Sequence, residues 1–277
     1  MKRTNLIFAA SLLVFASFFA ACQKSESTDP TLESSQDEDQ VVALFDDTQN
    51  DVDELTSTVV TPSKSSGYVE FAMTADLGSR TDVTTNSGDT IIHTITFVNF
   101  VNSRSLNGHM KNGVIIVKVI GRPMDAKFER TILLQNFDID GIKIEGTRKV
   151  NKIADYTYSV VLTGGKVTFT DETFCTREAT RTRTWIDGYA TLGDIWDDIY
   201  TIEGVATGIN RKGTAYTHNI TNPLVIKNSC RWIVEGTIEM VSGDKTATLD
   251  YGMGECDNQA TITVNGKIKE ITLRHKR

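Results

Sequence analysis

The sequence predicts an all-β protein: a large antiparallel meander of about a dozen strands, preceded by one acidic amphipathic helix. From residue 66 onward, short runs of alternating apolar and polar residues are separated by Gly, Asn and Asp turns. This regular spacing is typical of an all-β domain. Before that point a single segment, 37–57, has apolar residues at helical spacing. We therefore expect the antiparallel domain to span 66–277.

The strand pattern is clearest in 231–240, where apolar and polar residues alternate with the period of a half-buried strand. The apolar set is Trp232, Val234, Ile238 and Met240, and the polar set is Arg231, Glu235, Thr237 and Glu239. Further runs are 68–74, 90–100, 114–120, 128–137, 156–162, 165–170, 199–207, 214–221 and 245–251. Alternation places Ile116, Ile132, Leu134, Val160 and Leu162 on one or more inner faces, against either a second layer or a ligand.

Two stretches, 90–122 and 245–274, resemble each other and suggest a stacked repeat. Each has an apolar strand, a polar loop, an Asn-Gly pair and a second strand. The pairs are Asn112-Gly113 and Asn265-Gly266. The alternative is that any β-meander resembles itself, since Asn-Gly is the commonest tight hairpin signal.

Residues 1–21 have the features of a bacterial lipoprotein signal peptide. Lys2 and Arg3 precede an apolar run, 6–19, that is too short for a lasting transmembrane helix. The run ends in Phe19-Ala20-Ala21-Cys22, which resembles a lipobox. Cleavage would leave Cys22 as an acylated first residue, and two or more acyl chains give stable membrane anchoring. The alternative is an ordinary secretory signal with an incidental cysteine.

The residues that follow predict a tether and then a helix. Segment 22–36 is polar and rich in Ser and Thr, which is typical of a flexible tether. Ser35 and Glu38 have the spacing of a capping box. The helical stripe consists of Val41, Phe45, Thr48, Val52 and Leu55, with Asp46, Asp47, Asp51, Asp53 and Glu54 crowding the other face. We expect this helix, 37–57, to pack on the sheet.

The net charge disfavours an anionic partner for the protein as a whole. Without residues 1–21 the chain has 27 Lys and Arg against 36 Asp and Glu, a net charge of −9. Binding to nucleic acid or to an anionic lipid surface needs a basic group for each phosphate contact. We therefore expect no nucleic-acid partner.

Besides Cys22 the chain has three cysteines, Cys175, Cys230 and Cys256. A turn at 242–244 would place positions 230 and 256 opposite each other on one hairpin. This predicts a Cys230–Cys256 disulfide worth about 3 kcal/mol, with Cys175 buried and unbridged. A bridge from Cys175 to either partner is the alternative, since spacing alone does not determine connectivity.

No nucleophile, phosphate-loop, calcium-loop or metal motif is present in the sequence, so we expect no catalytic residue, metal or cofactor. The densest group of unusual residues lies within 180–204. It comprises Arg181, Arg183, Trp185, Asp194, Trp196, Asp197, Asp198 and Tyr200. Such residues form sugar or peptide sites, because aromatic faces stack on sugars while carboxylates and guanidinium groups bond hydroxyls. They also form cross-strand salt bridges over core aromatics, which is the commoner arrangement.

Parts of the C-terminal half resemble a family of uncharacterised lipoproteins from Bacteroidota. The resemblance is carried by 181–188 (RTRTWIDG), 196–204 (WDDIYTIEG), Asn222-Pro223-Leu224 with Cys230, and 251–258 (YGMGECDN). It implies a Gram-negative envelope location and a β-rich fold, and no catalytic residue. In that family the upstream copy of the repeated unit often has its own cysteine, which 97–107 lacks.

These observations favour a non-enzymatic outer-membrane lipoprotein that binds a protein, peptide or glycan and contacts the membrane through acylated Cys22. One alternative is a periplasmic carrier whose curved sheet holds a lipid or another hydrophobic ligand. Another is a glycan-directed hydrolase, which would need Asp194, Asp197 and Asp198 to act together. Whether the protein faces the periplasm or the exterior is open.

Overall fold

A computed structural model describes residues 77–101, 108–191, 194 and 196–273. They form one sheet of thirteen antiparallel strands, each paired with its neighbour in sequence, which confirms the predicted all-β meander. The strands are β1 (Leu77–Ser87), β2 (Thr90–Val101), β3 (Met110–Ile120), β4 (Glu129–Ile139), β5 (Ile142–Ala154), β6 (Thr157–Thr168), β7 (Phe174–Asp187), β8 (Ile199–Ile209), β9 (Ala215–Lys227), β10 (Ile233–Ser242), β11 (Lys245–Met253), β12 (Gln259–Val264) and β13 (Lys267–Thr272). The predicted signal peptide, tether, helix and strand 68–74 lie outside the described residues.

Alternate side chains along each strand divide the sheet into two faces. One row of paired residues crosses nine strands and is buried or half-buried throughout: Val117, Ile132, Arg148, Leu162, Ala179, Ala206, His218, Met240 and Ala247. We call this the inner face. Their neighbours along the chain, such as Lys118 and Glu239, lie on the exposed outer face. This is the alternation expected for strands with one covered side.

Bulges bend most of the strands. Register shifts occur in ten of the twelve strand pairs, the exceptions being β11–β12 and β12–β13. A bulge bends its strand and increases the local twist, and open sheets of more than about ten strands seldom stay flat. Gly204 lies at the bulge between Ile202 and Val205 of β8 and has a φ of 126°. A Cβ at this position would lie 2.3 Å from the carbonyl oxygen of Thr180, so the bulge needs a glycine.

Two apolar clusters occupy the ends of the inner face. The N-terminal cluster spans β2–β6 and centres on Phe97, whose ring lies 5.6 Å from that of Phe100 and 5.9 Å from that of Phe137. The C-terminal cluster involves mainly β9–β13 and includes Leu224, Ile238, Leu249 and Ile262. Between them, β7 and β8 contribute small and basic side chains instead.

Several sequence-based assignments need correction. The runs 156–162 and 165–170 belong mainly to one strand, β6, which continues through a bulge at Gly164, where φ is 63°. The alternation of 231–240 predicts Thr237 on the polar face, but Thr237 is buried, because a bulge beside Gly236 changes the phase of β10. Ile116 lies between buried Ile115 and Val117 and therefore points to the outer face.

The two stretches suggested as a repeat differ in structure. Residues 90–122 contain two strands, whereas 245–274 contain three. Asn112-Gly113 lies inside β3, next to a bulge at which Gly113 has a φ of 95°. Asn265-Gly266 instead forms the tight turn between β12 and β13, with both residues at positive φ. The two Asn-Gly pairs therefore do not occupy equivalent positions.

The predicted cysteine pairing is confirmed. The sulfur atoms of Cys230 and Cys256 lie at disulfide distance, 2.10 Å, and their Cα atoms are 5.8 Å apart. Cys230 precedes β10 and Cys256 follows β11, so the bridge joins the loops beyond the hairpin. The anticipated bulge is present, as β11 has one more residue than β10 between the pairs Thr237–Asp250 and Glu235–Met253. Cys175 is buried on β7 and is not part of this bridge.

No helix within the described part of the chain is long and apolar enough to cross a membrane.

Candidate binding surface

The connections at the two ends of the sheet differ in length. At one end, which we call the loop end, odd-numbered strands lead into even-numbered ones through 121–128, 188–198, 228–232 and 254–258, as well as two tight turns. At the other end, five connections have two to five residues and a sixth, 102–109, is largely outside the described residues. Binding sites commonly lie on loops held by a rigid scaffold, so the loop end is where a binding site is expected.

A stack of side chains on β7 and β8 forms the base of this end. Trp185 and Tyr200 are directly opposite each other on neighbouring strands, with stacked rings 5.8 Å apart. The guanidinium carbon of Arg183 lies 3.4 Å from the centre of the Tyr200 ring. Aromatic stacking and a cation–π contact thus fix three of the sequence-predicted residues in one rigid unit.

Asp198 joins this stack from the loop that precedes β8. It is only 4 % exposed, and its Oδ2 accepts a 2.8 Å hydrogen bond from the Tyr200 hydroxyl. Burial raises the pKa of Asp198 to about 6, although the Tyr200 hydrogen bond and the Arg183 charge act to lower it. Desolvation of a carboxylate favours its neutral form, so the protonation state of this group changes under mildly acidic conditions.

Exposed aromatic side chains lie in the connections next to the base. Tyr156 lies in the β5–β6 turn and Tyr189 in the β7–β8 loop, with ring centres 4.5 Å apart. The Tyr189 ring also contacts Trp185 edge-on at 6.4 Å. Trp196, in the same loop as Tyr189, is 53 % exposed. We call Tyr156, Tyr189 and Trp196 the aromatic platform.

Hydrogen bonds hold the connections at this end of the sheet to the base and to neighbouring strands. The backbone N–H of Trp185 donates to the carbonyl of Tyr156 at 2.7 Å, and the backbone N–H of Asn228 donates to the carbonyl of Asp198 at 2.9 Å. On the other side, the Tyr158 hydroxyl donates to the carbonyl of Pro123 at 2.9 Å. Four connections are therefore held in fixed positions, which reduces the entropy cost of ligand binding.

The inner face beneath the platform is strongly basic. Arg130 on β4, Arg148 on β5, and Arg177, Arg181 and Arg183 on β7 share this face, and we call them the basic strip. Arg183 and Arg130 both lower the pKa of Tyr158, while burial, the larger effect, raises it. The guanidinium groups of neighbouring strands therefore act on a common region.

The eight residues singled out from the sequence divide into two groups. Arg181, Arg183, Trp185, Asp198 and Tyr200 are close together on the inner face or beside it. Asp194, Trp196 and Asp197 lie on the exposed part of the 188–198 loop.

The three aspartates have different local roles. Asp194 accepts a hydrogen bond from the Trp196 N–H, Asp197 accepts one from the Thr191 hydroxyl, and Asp198 accepts one from Tyr200. Asp194 and Asp197 are exposed whereas Asp198 is buried. A hydrolase would need two carboxylates facing one scissile bond, and these contacts give no support to that arrangement.

Sequence reasoning missed Tyr156 and Tyr189 as members of the surface. Tyr156 follows Asp155 in a tight turn, and Tyr189 directly follows Gly188, so each stands at a turn position. An aromatic residue at a turn is a signal that could have been used, because aromatic side chains usually belong to strands. Their contact with each other depends on two loops that are distant in sequence.

The described residues contain no group of three or more His, Cys, Asp and Glu side chains that could hold a metal ion. Comparisons with family models, with curated proteins and with solved structures find no match for the chain.

Proposed function

We propose that the protein is a non-enzymatic binding module of the Gram-negative cell envelope, resembling lipoproteins of Bacteroidota. In this proposal the signal 1–21 is removed, acylated Cys22 holds the chain at the outer membrane, and 22–36 acts as a tether. The lipobox-like Phe19-Ala20-Ala21-Cys22 supports the anchor.

The observation that carries the binding role is the aromatic platform on its rigid base. Neighbouring exposed apolar groups commonly mark interaction sites, and three exposed aromatic rings lie in the β5–β6 turn and the β7–β8 loop. The carboxylates of Asp187, Asp194 and Asp197 are exposed in the same region. Rings that stack on sugar faces, beside acceptors for hydroxyl groups, favour a glycan ligand.

Glycan binding by the platform can be measured with a soluble chain, 23–277, which lacks Cys22. We expect this chain to bind members of a glycan array, and the best of them to bind about tenfold more weakly to Trp196→Ala and Tyr189→Ala, because each loses one stacking contact. Met253→Ala is the matched control, because Met253 is highly exposed outside the platform. Equal affinity of all three variants would exclude the platform as the site, and peptide binding without glycan binding would assign it to a peptide ligand.

The anchor is tested separately, by metabolic labelling of cells with a radioactive or alkyne-tagged fatty acid. The wild-type chain should incorporate the label and fractionate with the outer membrane. Cys22→Ser should lose both properties, whereas Cys175→Ser should retain them. Label on the Cys22→Ser chain would contradict lipidation at this cysteine.

The carrier alternative has weaker support. A pocket for an acyl chain needs a continuous apolar lining, whereas three arginines of the basic strip, Arg177, Arg181 and Arg183, lie on β7 between the two apolar clusters of the inner face.

A further inference from the structure

The rings of the platform and its base form one continuous row of contacts. Tyr156 lies 4.5 Å from Tyr189, which lies 6.4 Å from Trp185. Trp185 stacks on Tyr200 at 5.8 Å, and the guanidinium group of Arg183 covers the Tyr200 ring at 3.4 Å. Tyr200 is buried, whereas Tyr156 and Tyr189 are exposed. A cation of the protein therefore occupies the inner end of the row, while no cation of a described residue covers the outer end.

Carboxylates flank Trp196, the third ring of the platform. Asp194 accepts a 3.0 Å hydrogen bond from the backbone N–H of Trp196, which fixes it beside that residue. Asp197 directly follows Trp196 and accepts a hydrogen bond from the Thr191 hydroxyl. Both aspartates are exposed, and neither forms an ion pair with a described residue. The stretch 187–198 has four aspartates and no Lys, Arg or His, so its charge is entirely negative.

The two tyrosines of the platform also have aspartates close to them in the chain. Asp187 lies two residues before Tyr189, is exposed and forms no ion pair with a described residue. Asp155 directly precedes Tyr156, but its carboxylate is ion-paired with Lys152 at 3.1 Å. The β7–β8 loop and the end of β7 therefore supply the unbalanced negative charge, while the β5–β6 turn is close to neutral.

The buried carboxylate of Asp198 adds to this charge from below. Its Oδ1 lies against the loop, because a Cβ on Gly188 would be only 2.6 Å from it. The ring N–H of Trp185 helps to lower the pKa of Asp198, yet neither that N–H nor Oδ1 has a well-aligned hydrogen-bond partner. Water does not screen a buried charge, so ionised Asp198 acts on the neighbouring loop. Arg183 offsets part of this charge.

We propose that the glycan bound by the aromatic platform carries free amino groups, a step that rests on the proposed function and adds the charge of the ligand. An ammonium group is attracted to the face of an aromatic ring, and carboxylates accept stronger hydrogen bonds from it than from a hydroxyl group. A neutral glycan would stack on the rings without either gain. The net charge of −9 without residues 1–21 also attracts a cationic polymer.

Three β-1,4-linked hexamers test the charge requirement by calorimetry on the soluble chain 23–277. The hexamers of glucosamine, N-acetylglucosamine and glucose share one backbone and differ only in the substituent at C2. At a mildly acidic pH, where the amines are protonated, we expect the glucosamine hexamer to bind about tenfold more tightly than the other two. One exposed charge contact is worth up to about fivefold in affinity, and a hexamer makes more than one. At about 1 M salt the screening length falls to about 3 Å, so most of this preference should disappear.

Matched double variants locate the charges that matter. Asp194→Asn/Asp197→Asn keeps a side-chain oxygen as acceptor at both positions and removes two charges. It should bind the glucosamine hexamer about fivefold more weakly and the N-acetylglucosamine hexamer as the wild type does. The control, Glu239→Gln/Asp244→Asn, removes the same charge at exposed sites on β10 and in the turn that follows it, and it should match the wild type with both hexamers.

Equal affinity for the glucosamine and N-acetylglucosamine hexamers, with both weakened by Trp196→Ala, would overturn the amino requirement and leave the glycan function intact. Glucosamine binding that Trp196→Ala does not weaken, or that the two double variants weaken equally, would mean attraction by overall charge and would overturn it as well. So would failure of all three hexamers to bind, since the glycan array tests the proposed function separately. Tighter binding of hexalysine than of the glucosamine hexamer would assign the platform to a basic peptide instead.

Discussion

The apolar clusters and the central strands β7 and β8 share one face of one sheet, yet they are built differently. In the N-terminal cluster, Phe97 and Phe137 are almost completely buried and pack edge to face at 5.9 Å. In β7 and β8 the same face has arginines, alanines and glycines, and the loop between them has a buried aspartate, Asp198, whose pKa is raised to about 6. Burial of apolar area stabilises a fold, whereas burial of charge is weak evidence for stability.

The difference indicates that stability and binding are served by different parts of one continuous sheet. The two apolar clusters contribute most of the burial that stabilises the fold. The middle of the sheet retains polar groups that cost free energy to bury, and the exposed aromatic platform lies directly beside them. Residues that lower stability and cluster beside exposed aromatics are typical of a binding site.

Truncation of the N-terminal cluster should have the largest effect on stability. Phe97→Ala removes a ring that is 2 % exposed and should lower the free energy of unfolding by about 3 to 5 kcal/mol in a urea titration. Phe174→Ala, at a site that is 46 % exposed and has a lysine 4.9 Å from the ring, should cost about 1 kcal/mol or less. Equal losses would show that the cluster does not dominate stability.

Loss of the disulfide should rank second. Cys230 and Cys256 are separated by 26 residues, and closing such a loop is worth about 3 kcal/mol in the chain-entropy account. The double variant Cys230→Ser/Cys256→Ser should lose about that amount. Peptide mapping of the oxidised protein should find these two cysteines joined and Cys175 alkylated after denaturation. A linked Cys175 would contradict the pairing.

The smallest expected effect is the pH dependence of the central strands. Because the pKa of Asp198 is raised in the folded state, its contribution to stability is present at acidic pH and is lost as pH rises from about 4 through about 6. We expect a loss of about 1 kcal/mol, less than the full shift implies, since solvent screens part of it. Thermal unfolding of Asp198→Asn should lack this decline, while Asp197→Asn should retain it.

A rise in wild-type stability over the same pH interval, relative to Asp198→Asn, would mean that the folded protein stabilises the charged carboxylate. In that case Asp198 would behave like a carboxylate in an ordinary surface ion pair. The central strands would then not bury a charge at a cost, and they would no longer differ from the two apolar clusters in this respect.

Much of the fold could be predicted because its signals are local. Alternation in β10 and β11 and the turn at Gly243 predicted one hairpin and, from it, the pairing of Cys230 with Cys256. Prediction was poorer at the bulges, since one extra residue shifts the phase of every later side chain. Thr237 and the single strand β6 were misassigned for that reason.

The sequence by itself determined the all-β class and the meander, because period-2 patterns and short turns act between neighbouring residues, and it favoured the Cys230–Cys256 pairing that the structure shows. Only the tertiary structure decided which residues of 180–204 act together. It placed Trp185, Tyr200 and Asp198 in one stack, left Asp194 and Asp197 exposed, and brought Tyr156 against Tyr189. It also aligned arginines from β4, β5 and β7 on one face. The physical reason is that strand register and bulges, which are set by the whole sheet, determine where distant side chains meet.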